Sequence, residues 1–303
     1  MRKTASSEVL MSILLVAVMI LLYTFQSSFC NMYARFYPGE KKNSSAVYSV
    51  FYGAIVALAT LAFAGFSISP SAATLVIGCL NGAVLVLYNT MLIKASSNGP
   101  FSVTMIFNLC GGIIIPLFVS VFVDGETLSV WQYSAIAIML VSFVFLNLED
   151  KKSGERVSVI FILQCLILAL ANGMYGVFLN TQKNLTDSSE DAGMIIVTFA
   201  VSSVLALLLI VLNNREKTFA AFRQTKKSML SCLAASISAA TAVNLLMYCL
   251  GLMNVAVLYS LNNGGVLIVS VLWSVVILRE KIGRNKVIGL ILATAAVFAL
   301  SVL

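Results

Sequence analysis

The sequence predicts an all-α membrane protein whose ten transmembrane helices form two inverted five-helix repeats. Three observations predict it. Of the 303 residues, 60% are hydrophobic and only 10% charged, with a mean hydropathy of +1.00, whereas a soluble domain carries about 25% charged residues. The 19 basic and 12 acidic residues fall almost wholly between apolar runs of roughly 20 residues, long enough to carry a helix across about 30 Å of hydrocarbon. Finally, an amide-and-glycine motif occurs twice: Asn108, Gly111 and Gly112 in one run, and Asn262, Asn263, Gly264 and Gly265 in another. Asn108 matches Asn262, Gly111 matches Gly265 and Glu126 matches Glu280, each 154 residues on. A β-barrel would need alternating segments of roughly ten residues, and these runs are longer and apolar on every face.

In order, the spans fall at roughly 9–30, 46–65, 73–93, 101–123 and 130–148, then 157–179, 192–212, 228–250, 255–278 and 285–303. The first follows Arg2 and Lys3 but reaches Phe29 without a small-residue cleavage site, so it reads as a span rather than a signal peptide. The charged gap from Glu149 to Arg156 divides the chain into residues 1–150 and 151–303, each with five spans. A similar second half entered after an odd number of crossings lies upside down, the plan of many secondary transporters. An overlay of Leu92–Leu148 on Leu246–Val302 gives nine identities, with the two amide-glycine motifs in register. The second motif interrupts the apolar pattern of its helix with amides and glycines.

Sixteen of the 19 Lys and Arg lie in the gaps after spans 1, 3, 5, 7 and 9, counting Lys286 at the edge of span 10. Positively charged loops remain in the cytoplasm, which places both termini outside a bacterial-type plasma membrane. The net charge of +7 is a loop property and implies a lipid bilayer, not nucleic acid, as the partner. Nothing demands a second copy, and the chain is read as a monomer. The six cysteines all sit in apolar runs with no C-x-x-C pair and read as packing residues.

No acidic, basic or histidine side chain lies in the middle of any span, and the chain has no histidine. Proton carriers and intramembrane metalloenzymes generally need such a group at mid-depth, so no metal, cofactor or catalytic residue is expected. The polar groups inside the spans are neutral and concentrate in spans 1, 3, 4, 6, 8 and 9: Gln26, Asn89, Asn108, Asn172, Tyr175, Asn244, Tyr248, Tyr259, Asn262 and Asn263, with Tyr23, Asn81, Tyr88 and Gln164 beside them. Spacings of three or four, as in Asn172/Tyr175, Tyr259/Asn262 and Asn244/Tyr248, keep such pairs near one helical face. Two readings compete: interhelical bonds of about 0.6 kcal/mol each, or the wall of a polar cavity. Gly111, Gly112, Pro116, Gly264 and Gly265 likewise read either as hinge or gate elements or as close helix packing. Pro116 cannot donate to the Gly112 carbonyl and should kink span 4. Glu126 and Glu280 stand near the starts of spans 5 and 10, where the helix dipole favours negative charge, and read as caps.

These features resemble the drug/metabolite transporter superfamily, in particular its EamA-type permeases. The resemblance rests on ten spans in two five-helix halves. It rests also on a span 4 or 9 that ends in Glu and turns straight into the next helix, Val123-Asp124-Gly125-Glu126 before Trp131 and Leu278-Arg279-Glu280-Lys281 before Val287. It implies a central cavity lined by spans 1, 3, 4, 6, 8 and 9. The expected function is therefore secondary transport of a small polar or zwitterionic metabolite by alternating access. Amides and phenols hydrogen-bond without fixing a charge, and a phosphate substrate would call for Lys or Arg. The alternatives are an uncoupled channel or facilitator and, from another class, a membrane-embedded enzyme.

Overall fold

A helix forms wherever the sequence supplies an apolar run, because in hydrocarbon every backbone N–H and C=O must be bonded within its own segment. The computed structural model describes residues 2–99, 101–147, 158–213, 221–278 and 283–302, and no strand occurs among them. Among the described residues ten α-helices of 18 to 35 residues follow one another. They are α1 (Arg2–Phe36), α2 (Lys41–Phe63), α3 (Ala72–Asn98), α4 (Phe101–Phe122), α5 (Val130–Asn147), α6 (Val159–Leu185), α7 (Asp191–Asn213), α8 (Lys226–Leu250), α9 (Val255–Leu278) and α10 (Arg284–Val302). Among the described residues seven segments, in α1 to α4 and α6 to α8, are long and apolar enough to cross a membrane, and those of α5, α9 and α10 include shorter apolar stretches. Large apolar side chains such as Leu14, Leu58, Phe118, Leu170, Leu230 and Phe298 stand exposed, as suits a surface that meets lipid rather than water. The chain is an α-helical multi-pass membrane protein. α1 runs six residues past the expected end of span 1, since intrahelical hydrogen bonds continue after the apolar stretch stops.

In space the chain gathers into two units, each drawing on both halves of the sequence. One unit holds residues 1–21, 91–177 and 249–303. There α4 packs on α9 and α5 on α10. A Cβ at Gly289 in α10 would lie 2.7 Å from Leu146 N and 3.0 Å from Ser142 O, so only glycine lets α10 reach the α5 backbone.

The other unit holds residues 22–90 and 178–248 and is built on α2 against α7. Gly53 of α2, and Gly78 and Gly82 of α3, lie against the α7 residues Phe199, Val197 and Val201, and Ser203 Oγ donates to Val50 O at 2.7 Å. At one end of this unit the last turn of α1 meets the start of α8. Tyr37 donates to Ala221 O at 2.6 Å, Gln224 to the Tyr33 hydroxyl at 3.1 Å, and Thr225 Oγ1 to Phe36 O at 3.1 Å. At the other end, where α2 finishes, the last turn of α6 meets the start of α3, with Gln182 donating to Thr74 Oγ1 at 2.8 Å.

Both junctions carry one kind of N-cap. Thr74 N donates to Ser71 Oγ at 3.3 Å, and Ser228 N donates to Thr225 Oγ1 at 3.1 Å. A hydroxyl at the N-cap accepts a backbone N–H that has no intrahelical partner. The residues that form the two caps stand 154 positions apart, the offset that relates Asn108 to Asn262.

Glu126 caps differently from expectation. Gly125 adopts φ 72°, turning the chain so that Glu126 N reaches Ser120 O at 2.9 Å while its carboxylate accepts from the Ser120 hydroxyl. Glu126 thus closes the end of α4. The start of α5 is held instead by a capping box, Gln132 N donating to Ser129 Oγ at 3.2 Å and Ser129 N to Gln132 Oε1 at 2.9 Å. Glu280 lies outside the described residues.

Candidate functional site

The first unit contains a buried amide cluster built on the two glycines of α4. Gly111 lies against the backbone of α6, where a Cβ would come within 2.5 Å of Ala169 Cα. On α6, Gly173 keeps the approach open, since its own Cβ would stand 2.7 Å from Gly111 O. Small residues thus bring two membrane helices to backbone contact. One residue on, Gly112 sits between two side-chain amides: a Cβ there would lie 2.6 Å from Asn172 Nδ2 of α6 and 3.3 Å from Asn263 Nδ2 of α9.

Each amide has a carbonyl to satisfy. Asn172 Nδ2 donates to Asn108 O at 2.8 Å. Asn263 Nδ2 donates to Tyr259 O, one turn back on its own helix, at 2.9 Å and reaches Gly112 O at 3.4 Å. Gly112 O is the carbonyl that Pro116 cannot serve, because proline has no N–H. α4 nevertheless runs unbroken from Phe101 to Phe122 through the proline. A further contact ties α6 to α9: the buried Tyr259 hydroxyl donates to Gly176 O at 3.1 Å, over a glycine whose Cβ would stand 2.8 Å from the ring. Tyr175 lies within electrostatic reach of Tyr259.

Two amide oxygens, one on α4 and one on α9, have no hydrogen-bond partner. Asn108 is 6% exposed, and its Oδ1 is buried without a hydrogen bond; Asn262 Oδ1 is in the same condition. These two residues occupy matching positions in the two halves.

The second unit holds the other amides, each in contact with a neighbouring helix. Gln26 Nε2 donates to the Tyr52 hydroxyl at 3.0 Å, Asn89 Nδ2 to Ser49 Oγ at 3.2 Å, and Asn244 Nδ2 to Thr60 Oγ1 at 3.1 Å and Ala240 O at 2.8 Å. Tyr248 is 57% exposed. Asn81, set between Gly78 and Gly82, is fully buried with neither side-chain polar atom paired.

Of the ten expected site residues, the structure brings Asn108, Asn172, Tyr175, Tyr259, Asn262 and Asn263 into the first unit and Gln26, Asn89, Asn244 and Tyr248 into the second. α9 is continuous helix through Gly264 and Gly265, since Gly264 accommodates Met139 of α5 and Gly265 accommodates Ile20 of α1. Small side-chain volume, not backbone freedom, is what these glycines contribute. Composition pointed to amides but not to the glycines that receive them: Gly173 and Gly176 carry the closest α6 contacts and were legible only as an Ala169-x-x-x-Gly173 pattern. All six thiols are free; Cys165, Cys232 and Cys249 are buried, whereas Cys79 is exposed and does not pack. Among the described residues no group of three metal-ligating side chains occurs.

No family model matches the chain, and no curated protein matches it. Solved structures do: 29 chains match. One of them, described as "Crystal structure of protein", aligns with a TM-score of 0.72 over 96% of this chain and 98% of its own. At 18% identity, that likeness shows a shared fold.

Proposed function

We propose that the chain is a secondary transporter of the drug/metabolite type, with ten spans in two inverted five-helix repeats, moving a small polar or zwitterionic metabolite by alternating access. The observation that carries the reading is one N-cap used twice, at Ser71/Thr74 and Thr225/Ser228, 154 residues apart and at opposite ends of α2 and α7. An inverted repeat requires that equivalent residues appear at opposite ends. The helix pairs lend the same support: α2 with α7, α4 with α9 and α5 with α10 are each a first-half helix against its counterpart. Gly111 against α6 and Gly265 against α1 are likewise counterparts.

Matching helices then carry matching unpaired acceptors, Asn108 Oδ1 and Asn262 Oδ1, where a pseudo-twofold axis in the membrane plane brings the two halves to similar depth. A substrate that donates to these oxygens from either side is what alternating access demands. Orientation has support in the second unit. The exposed Arg35, Arg223, Lys226 and Lys227 gather where α1 meets α8, while Asp187, Glu190 and Asp191 stand at the other end. Positive-inside then places the α1–α8 end in the cytoplasm and both termini outside a bacterial-type plasma membrane.

The test is a thermal-stability screen of the purified protein against polar metabolites, followed by counterflow in proteoliposomes with each stabilising compound. Saturable uptake accelerated by unlabelled compound on the far side is expected. Uptake linear in concentration with no trans-stimulation refutes the carrier.

A further inference from the structure

The two ends of the second unit treat their charges differently. Where α6 meets α3, Lys183 is paired within the chain to the Asp191 carboxylate. Glu190 and Asp191 stand there at the start of α7, where the helix dipole favours acids. Where α1 meets α8, the cations have no such partner: Arg35, Arg223, Lys226 and Lys227 are exposed and form no ion pair among the described residues. Lys226 and Lys227 moreover open α8, the end of a helix at which the dipole disfavours a cation. Contacts within the unit nevertheless gather them. Thr225 Oγ1 donates at 3.1 Å to the carbonyl of Phe36, the neighbour of Arg35; Lys227 Nζ stands 5.6 Å from the centroid of the Phe36 ring; and Tyr37 donates to Ala221 O, two residues before Arg223. The stretches 35–42 and 214–227 hold eight Lys and Arg against Glu40 and Glu216.

Toward the middle of the same two helices the surface is apolar and exposed. On α8, Lys226, Leu230, Leu233 and Ile237 follow one another down one face at helical spacing; on α1, Arg35 lies three residues from Met32, which is exposed together with Phe36. A small soluble anion would meet the charges alone, whereas a molecule with an anionic head and apolar tails meets both. We propose that this face of α1 and α8 binds an anionic phospholipid, its phosphate shared by Arg35 and Lys226 and its acyl chains lying along Leu230 and Leu233. The lipid supplies the negative charge that the start of α8 lacks and ties α8 to α1.

The test titrates the delipidated full-length protein in detergent with phosphatidylglycerol or phosphatidylcholine, reading bound lipid by native mass spectrometry and melting temperature alongside. Phosphatidylglycerol is expected to bind more tightly and to raise the melting temperature. Inorganic phosphate and glycerophosphoglycerol, the same head without acyl chains, should do neither. Arg35→Gln and Lys226→Gln should each weaken phosphatidylglycerol about fivefold, the share of one basic side chain at an anionic surface, while Lys94→Gln, an exposed lysine of the other unit, should not. Without anionic lipid, Lys226→Gln should melt about 1–3 °C higher than the unaltered protein, since it removes a cation from the start of a helix. In phosphatidylglycerol that order should reverse.

Equal affinity for the two lipids, stabilisation by phosphate or glycerophosphoglycerol matching that by phosphatidylglycerol, weakening by Lys94→Gln as great as by Arg35→Gln, or a Lys226→Gln protein less stable in the absence of anionic lipid each overturns the proposal. Should one variant fail to fold, the other and the ranking of the two lipids on the unaltered protein still decide. No flux is measured, so the outcome stands apart from that of the counterflow experiment.

Discussion

Replacing Gly112 by alanine places a methyl group 2.6 Å from Asn172 Nδ2 and 3.3 Å from Asn263 Nδ2, well inside van der Waals contact. In an isolated helix the substitution would stabilise by about 1 kcal/mol, since glycine is the poorer helix former. Here the methyl must displace the Asn172 amide from the Asn108 carbonyl it holds at 2.8 Å and press on Asn263. Losing an interhelical bond in a membrane protein costs about 0.6 kcal/mol on average, leaving a buried polar atom unsatisfied about 1–3 kcal/mol, and overpacking about 1–3 kcal/mol. The clash wins, with net destabilisation of about 1–3 kcal/mol and a melting temperature lower by about 2–8 °C. The assay is thermal unfolding of the purified protein in detergent, run beside Asn172→Ala and the double variant. Truncating Asn172 vacates the space that the new methyl needs, so the double variant should be more stable than the sum of the two effects by about 1 kcal/mol. A Gly112→Ala protein that melts at or above the unaltered temperature, or strict additivity with Asn172→Ala, would refute the packing argument.

Asn108→Ala and Asn262→Ala should each weaken the affinity of a transported compound about 5- to 100-fold, from a hydrogen bond of roughly 1–3 kcal/mol, with little loss of melting temperature; unchanged affinity in both removes them from the site. Ser71→Ala and Thr225→Ala each delete an N-cap and should cost about 1 kcal/mol. Because the two caps lie at opposite ends of one unit, their effects should add within about 0.5 kcal/mol in denaturant or thermal unfolding. A C-terminal alkaline phosphatase fusion should be active and a green fluorescent protein fusion dark, whereas the reverse pattern places the termini in the cytoplasm.

The sequence by itself determined the class. Crossing hydrocarbon imposes a length and an apolarity that any short window either has or lacks, so the ten helices stood in the order and nearly the places that hydropathy assigned. It also held the Ser71/Thr74 and Thr225/Ser228 caps at the offset already seen for Asn108 and Asn262, but an overlay that begins at Leu92 passes over them. Hydropathy is a property of neighbours along the chain, and it could not say which of the adjacent amides Asn262 and Asn263 turns to a neighbouring helix. Consecutive residues on a helix point about 100° apart, and only packing of α9 against α4 sends Asn263 to a carbonyl 151 residues away and leaves Asn262 Oδ1 unpaired. The sequence placed Glu126 at the start of α5 by proximity, whereas the positive φ at Gly125 folds it back onto Ser120. It left Gly264 and Gly265 open between hinge and close packing, and only the structure shows that Met139 and Ile20 fill the space where their side chains would be. In each case the deciding partner comes from another helix or from the turn of the backbone, and that is a fact of three dimensions which no local pattern of residues encodes.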